Sequence, residues 1–327
     1  MNLIDATKQF ATPEACVDYL EAMRWPGGVT CLQCGRNKVL RITTNDTVRT
    51  RKNAKGEVRT VRVPGRIIYQ CQNSKCAHQF SATTGTIFHD THLPLDKWLM
   101  AVALMVNAKK GLSAMQLQRD LHIAYKSAWH LAHRIRKAME LVEAAPPEPL
   151  TGTVEADETY IGGKYDARRK RARYDKEPVF GVIERGGKAR TFHMPVVNRQ
   201  TVTRKLKEAV SIGADAIYTD ESKLYGRAIG CLDNHKHESV NHIRKEWARG
   251  DVHTGTIDGY WGLLKRGVIG SFHQISVKHL HRYLSEFQFR WNNRESQDIF
   301  ALVIAALVIG AALPYVKLTE PTEEETF

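Results

Sequence analysis

Four of the six cysteines fall into two close pairs, Cys31-x2-Cys34 and Cys71-x4-Cys76, and nothing else so narrows what the N-terminal third can fold into. Two such knuckles supply four thiolates, the tetrahedral set of a structural zinc site. A site of that kind holds together a module too small to bury a core of its own. Gly35, directly after the first pair, permits the tight backbone turn that the ligands require. Met1–Phe10 lacks the basic start and apolar stretch of a secretory signal, so metal binding in a reducing compartment is expected rather than disulfides. A redox pair or unligated thiols are the alternatives. Cys16 and Cys231 have no partner at a suitable spacing and read as small core residues.

Ahead of the first pair, Thr12 as N-cap and Pro13 at the first helical position start a short helix running to Met23. Between the pairs, NDTVRTRKNAKGEVRTVRVPGR alternates Thr or Val with Arg or Lys around Lys55-Gly56. That pattern predicts a two-stranded hairpin with one cationic face. Arg49, Arg51, Lys52, Lys55, Arg59, Arg62 and Arg66 are candidates to track a phosphate backbone. A merely solvated charged hairpin is the alternative.

Pro94–Ala108 reads as a mostly buried helix ended by Lys109-Lys110-Gly111. The following run, GLSAMQLQRDLHIAYKSAWHLAHRIRKAME, divides into a short helix from Ser113 to Asp120, a turn at His122–Ala124, and a longer helix from Tyr125 to Leu141. Leu117, Leu121, Ile123, Ala128, Leu131 and Ile135 make the seam. This is the pattern of a helix-turn-helix, whose second helix enters the DNA major groove. Lys126, Ser127, His130, Arg134 and Arg136 are its candidates for base or phosphate contact; a helical hairpin that only packs is the alternative. Residues 143–152 (EAAPPEPLTG) break both periodicities and mark a domain boundary.

From Thr153 a strand carries a carboxylate, Asp157, amid Val154, Ala156, Thr159 and Ile161, and Gly162-Gly163 closes it. A basic loop, Arg168–Arg173, follows. Strands Val179–Arg185 and Arg190–Val197 form a hairpin across Gly186-Gly187, and a helix near Thr201–Ser211 leads to a strand Ala216–Thr219 that ends at Asp220. A strand near Glu238–Ile243 precedes a helix from Thr256 to Arg266 bearing Asp258 and Lys265. Hairpin strands followed by strand–helix alternation describe an α/β domain with a mixed sheet flanked by helices.

A carboxylate within a strand is costly to bury unless it meets a metal or hydrogen-bond donors. Placing the Asp220 strand beside the Asp157 strand brings two acids together, and such a pair repels unless divalent cations neutralise it. Two Mg²⁺ ions about 4 Å apart, with Mn²⁺ as a substitute, can activate a water or 3′-hydroxyl against a phosphodiester. Asp258, at a helix start, supplies a third acid. Lys265 lies two helical turns on, so it projects from the same face toward a phosphate. Each acid also has a plain reading: a strand-end residue, a turn cap, and a first-turn acid favoured by the helix dipole. Glu158 and Glu221 adjoin two of the acids, and strand alternation points Glu158 to the other face.

Composition sets the class of partner. An apolar fraction of 43% and a charged fraction of 25% are ordinary, but a formal net charge of +13 favours an anionic partner, above all nucleic acid. Ile299–Leu313 is apolar throughout, yet a membrane span needs about 20 such residues, so a buried helix is expected. The tail TEPTEEETF is acidic and reads as disordered.

Taken together, these modules resemble the ISXO-type insertion-sequence transposases, with a zinc ribbon, a helix-turn-helix, and an RNase H-like domain carrying a DDE-type acid triad. The matching stretches are CLQCG, CAHQFSATTGTIFHDTHLPLDKW, GLSAMQLQRDL, VEADETYIGGK, VFGVIERGG, YTDES, WGLLKRGVIGSFHQIS and EFQFRWNNR, spread over most of residues 14–295. The resemblance implies that Asp157 and Asp220 are the first two acids and Lys265 the downstream basic residue. At the third position, where TNTIEG is the commoner pattern, this chain has Thr254-Gly255-Thr256-Ile257-Asp258-Gly259. Asp258 is one methylene shorter than Glu, which shortens its reach to a second metal. Since the acid type is kept, an active enzyme is expected, with impairment as the alternative.

The expected order is a zinc ribbon with basic hairpin (14–90), a helix-turn-helix (91–142), a linker (143–152), an RNase H-like domain with C-terminal helices (153–313) and an acidic tail (314–327). The implied function is a DNA transposase that binds its element's terminal inverted repeats, cuts there and joins the ends to target DNA. Its partners would be double-stranded DNA and further copies of itself, at least a dimer on DNA, with no membrane, in the cytoplasm at the nucleoid. A DNA-binding protein without catalysis and a metal-dependent nuclease of the same fold are the competing readings.

Overall fold

The computed structural model describes residues 1–52, 56–63, 65–144, 148–162, 176–232 and 236–320. It divides into two compact units, Met1–Ala103 with Phe300–Pro314, and Leu104–Ile299 with Tyr315–Phe327. Lys55, the loop Arg168–Arg173, and the end of the acidic tail (321–327) lie outside the described residues.

In the first unit, helices α1 (Leu3–Gln9) and α2 (Pro13–Arg24) come first. The start of α2 follows from its sequence: the Thr12 hydroxyl accepts the Ala15 N–H at 3.2 Å, and Pro13 occupies the first helical position. Strands β1 (Val39–Thr43), β2 (Thr47–Lys52), β3 (Val58–Val63), β4 (Ile67–Cys71) and β5 (Gln79–Phe80) follow. An antiparallel sheet in the order β1-β4-β5 carries the antiparallel hairpin β2–β3 between its first two strands, as the alternation predicts. Trp25, Tyr69 and Phe80 pack edge to face or tilted, with ring centroids 5.5–6.0 Å apart. The Arg24 guanidinium donates to the carbonyls of Ala82 and Thr84 at 2.7 and 2.8 Å.

After α3 (Leu95–Asn107), the helix that completes this unit comes from far along the chain. Ile299–Ile309 is apolar on every side, and Phe300, Val303, Ile304, Leu307 and Val308 are buried. Phe300 stacks on Phe10 at 5.9 Å and meets Tyr19 at 6.1 Å, and the Ile87 N–H donates to the Leu307 carbonyl. The apolar run is a buried helix, but it belongs with the N-terminal unit and not with the C-terminal domain. Among the described residues no helix is long and apolar enough to cross a membrane.

The second unit, which begins within the last turn of α3, continues with α4 (Ala114–Leu121) and α5 (Tyr125–Ala144). Ser113 caps α4 through the Gln116 N–H, and His122 ends it in the left-handed region at φ +50°. Leu117, Leu121, Ala128, Leu131 and Ile135 form the buried seam. Strands β6 (Thr153–Ile161), β7 (Glu177–Glu184) and β8 (Ala189–His193) make an antiparallel meander. After α6 (Arg199–Ala209), strand β9 (Ala216–Thr219) pairs parallel with β6; after α7 (Lys223–Ile229), β10 (His237–Ser239) pairs parallel with β9. The order β10-β9-β6-β7-β8 is the mixed, RNase H-like sheet. A small hairpin of β11 (Ala248–Arg249) and β12 (Val252–His253) leads into α8 (Gly255–Gly267), and α9 (Val277–Asn292) follows.

Strand alternation sorts the sheet's two faces. Val154, Ala156, Phe180 and Val182 pack against Val202 and Leu206 of α6 and Tyr225 of α7. Ile161, Val179 and Ile183 pack with Ile257, Tyr260 and Trp261 of α8 and Leu284 and Phe287 of α9. Asp157 therefore faces α8 and Glu158 faces α7, as expected. The Tyr225 hydroxyl donates to Glu158.

Helix α5 is fixed to α9 by charge, which corrects two of the proposed DNA contacts. Arg136, 2% exposed, donates to Glu286 at 2.6 Å; Arg290 donates to the other Glu286 oxygen at 2.6 Å. The Arg136 guanidinium also sits 4.1 Å from the Tyr283 ring centroid. Arg134 is buried as well. A basic periodicity on a helix looks the same whether the cations face DNA or a buried carboxylate. Here Arg134 and Arg136 are interior.

Candidate active site

The cysteines converge as their spacing requires. Cys31 and Cys76 sulfurs lie 3.8 Å apart, Cys34 and Cys71 sulfurs 3.6 Å apart, and all four lie within 4.8 Å of one another. Zinc–sulfur bonds of about 2.3 Å in a tetrahedron separate the sulfurs by about 3.8 Å, so the set fits one ion. A hydrogen bond from the Arg36 backbone N–H pulls the Cys34 thiol down to about 7, toward the thiolate that binds metal.

The acids gather at one end of the mixed sheet. The parallel pairing of β6 with β9 ends at Glu155↔Tyr218; Asp157 lies two residues further along β6, and Asp220 lies just past the end of β9. Burial first, then the charges of Glu158, Asp220 and Asp258, push the Asp157 carboxyl up to about 7. Asp220 is raised too, by burial and then against the Ser222 N–H, which donates to it at 3.0 Å; Glu221 and Asp258 add to the rise and His242 opposes it. Asp258 stands in the first turn of α8, where it accepts the Thr254 hydroxyl at 3.1 Å. Lys265 is exposed two turns further along that helix, as is Asp258.

Two buried groups that the sequence reading passed over hold these acids. The Trp261 indole N–H donates to Asp157 at 2.9 Å and orients the carboxylate. It reaches there because Gly181, paired with Asp157 across β6 and β7, has no side chain: a Cβ would stand 2.5 Å from the indole carbons. The second is Glu155, wholly buried on the same face as Asp157. It accepts the Thr256 and Ile257 N–H groups at 2.8 and 3.0 Å, the Thr256 hydroxyl at 3.0 Å, and Arg185 at 2.7 Å. Thr254, the N-cap of α8, makes no side-chain cap bond, so Glu155 takes that role from the neighbouring strand. Arg185 extends the anchor to the carbonyls of Asp251 and His253 at 2.7 and 2.9 Å. The signal was present: two acids at i and i+2 of an apolar strand share a buried face, and each needs donors.

Of the proposed DNA contacts, Lys126 is exposed with its ammonium 4.2 Å from the Tyr315 ring centroid, and the His130 ring lies 5.6 Å from the same ring. Ser127 is half-buried beside them. Arg49, Arg51 and Lys52 occupy β2, and their side chains lie outside the described residues.

A four-cysteine ribbon ahead of an RNase H-like sheet defines a two-module protein, a small metal-binding module followed by an α/β domain with acids at one end. Residues 11–79 match the transposase zinc-ribbon domain, and residues 149–292 match the ISXO2-like transposase domain. A relative from Halobacterium salinarum, described as an uncharacterized protein in transposable element ISH50, is 26% identical over 298 residues, covering 86% of this chain and 92% of that one. The chain thus carries, one after the other, domains matching the zinc ribbon and the ISXO2-like domain of transposases, and its four-cysteine cluster fits a structural zinc site.

Proposed function

We infer that this protein is a transposase that binds the terminal inverted repeats of its element as double-stranded DNA, cuts at the element ends and joins the freed 3′-hydroxyls to target DNA. The observation that carries the reading is that Asp220 and Asp258 stand near enough to Asp157 for their charges to push its carboxyl up, with the helix bearing Asp258 tied by Glu155 to the strand bearing Asp157. Carboxylate oxygens are hard donors suited to Mg²⁺, with Mn²⁺ as a substitute. Ligands to a pair of ions about 4 Å apart need not meet at one point as the four sulfurs do. The raised Asp157 and Asp220 fit that role, since mutual repulsion is what a divalent cation would relieve. When bound, the two ions would activate the attacking oxygen and stabilise the leaving one.

The remaining work falls to side chains. Trp261 fixes the Asp157 carboxylate, Glu155 and Arg185 fix the start of α8, and Lys265 holds a DNA phosphate in line with Asp258. Lys126, Ser127 and His130 on α5, with Arg49, Arg51 and Lys52 on the ribbon hairpin, make the contacts to the inverted repeats. Cutting two ends calls for two active sites, hence at least a dimer on DNA. The site of action is the cytoplasm, where the element's DNA lies in the nucleoid.

The test is nicking and joining of supercoiled plasmid carrying the element ends, with Mg²⁺ or Mn²⁺. Wild type should give joined products and Asp157→Asn none. Cutting without joining would identify a nuclease, and DNA binding without cutting would leave only a binding protein. Asp258→Glu run in parallel shows whether the shorter third acid limits the rate.

A further inference from the structure

Between β10 and α8 the chain makes a short excursion that the mechanism above does not use. A single 3₁₀ turn, His242–Arg244, is followed by Lys245 in the left-handed region at φ +61° and by the β11–β12 hairpin. This excursion is tied to the neighbours of two catalytic acids. The His242 N–H donates to Glu221, next to Asp220, at 2.9 Å. The His242 ring nitrogen lies 3.4 Å from the Thr254 hydroxyl that donates to Asp258. Arg185, the partner of Glu155, holds the carbonyls of Asp251 and His253.

What this anchored segment presents outward is unusual for a surface loop. Ile243 is 84% exposed and Trp247 is 66% exposed, the indole leaning on the His242 ring at 4.8 Å. Arg244 and Lys245 are exposed between them. Large apolar side chains held out in water beside a site mark a contact surface. The chemistry narrows the occupant. An aromatic face stacks on nucleobases, an aliphatic side chain wedges a base step apart, and neighbouring cations meet phosphates. A second copy of the chain, itself carrying +13, would bring like charge against Arg244 and Lys245.

We propose that this segment grips distorted DNA at the cut: Trp247 stacks on a base drawn out of the helix beside the scissile phosphodiester, Ile243 fills the gap left behind, and Arg244 and Lys245 hold the adjoining phosphates. The proposal rests on the DNA-cutting reading given above, and its test includes a readout that needs no cutting.

The full-length protein is bound, in Ca²⁺, to a duplex carrying one element end with 2-aminopurine at single positions on either side of the element boundary. Wild type should raise the fluorescence at the one or two positions flanking the extruded base, which lose it as a stacking neighbour, while 2-aminopurine at the extruded position itself stays quenched against the indole. Trp247→Ala should abolish that rise and Trp247→Phe should largely keep it. In Mg²⁺, Trp247→Ala should slow cutting of fully paired ends by about fivefold to a hundredfold, the range for loss of one stacked base. Ends mismatched at the boundary should restore most of that loss. Asp157→Asn should keep the fluorescence rise while losing cutting, which separates the two readings. An unchanged 2-aminopurine signal in Trp247→Ala overturns the proposal whether or not wild type cuts. So does an equal loss on paired and mismatched ends accompanied by a smaller assembly in sedimentation, which would make Trp247 a contact between copies.

Discussion

Asp157→Asn separates the stability of this site from its chemistry. Burial and three neighbouring carboxylates raise Asp157 from the ordinary 3.8 to about 7. A carboxyl raised on folding favours the native state while it stays protonated, so its contribution is complete below the unfolded value. It is lost as pH climbs through the folded value. A tenfold change in proton affinity is worth about 1.4 kcal/mol, so the ionised, metal-free form at pH 8 carries a penalty of roughly 4 kcal/mol. Asn removes the charge and keeps an oxygen for the Trp261 indole N–H. Allowing for imperfect accommodation of its amide, Asp157→Asn should stabilise the second unit by about 2–4 kcal/mol at pH 8.

The assay is urea unfolding followed by tryptophan fluorescence, in buffer stripped of free Mg²⁺ but without a chelator, so that zinc stays in place. Between pH 5.5 and 7 the advantage of the variant should grow by about 2 kcal/mol, and above pH 7 it should level off. Added Mg²⁺ should raise the stability of wild type and leave Asp157→Asn nearly unmoved. A variant no more stable than wild type at pH 8, or one whose advantage is the same at pH 5.5 and 8, refutes the reasoning.

Further outcomes follow from the same contacts. Glu155→Gln should lower stability by about 3 kcal/mol, since it leaves Arg185 facing a neutral amide, and thermal unfolding of the second unit should move down by roughly 6–12 °C. Trp261→Phe removes a donor to a charged group, worth about 1.5–3 kcal/mol, so the acidic limb of the cutting rate should move up by about one pH unit. Gly181→Ala puts a Cβ into the indole and should slow cutting by about tenfold or more while DNA affinity holds, as read by gel shift. Arg136→Ala should cost about 3–5 kcal/mol in urea unfolding yet leave DNA affinity per folded molecule unchanged, whereas Lys126→Ala should weaken binding without loss of stability. Cys34→Ser should abolish stoichiometric zinc by elemental analysis and unfold the ribbon.

The sheet was legible because strands announce themselves by alternation. Ala216–Thr219 and its terminal Asp220 lie where the pattern placed them, beside the strand of Asp157. Helices with strong local signals were equally plain, as with Thr12 and Pro13 before α2. What sequence pattern did not reveal depends on partners far along the chain. Arg136 meets Glu286 and Phe10 meets Phe300, and neither pairing leaves a trace in local periodicity. The apolar run at Ile299–Ile309 declares that it is buried but not against what. Trp261 and Gly181 show the same limit: the void at one and the indole at the other make sense only when β7 and α8 are superposed.

Glu155 and Asp157 sit two residues apart on one strand face, and their different surroundings explain how such a site can be both rigid and reactive. Glu155 is saturated: two backbone N–H groups, a hydroxyl and a guanidinium all donate to it, so its charge is matched inside the protein and nothing is left for a ligand. Asp157 has the indole N–H and is crowded by other acids, so its charge is left unmatched. The fold thus settles one carboxylate to hold helix α8 in place and leaves the other in want of a cation. Moving donors from the first to the second would steady Asp157, but it would release the start of α8, and with it Asp258, from the sheet that aligns them.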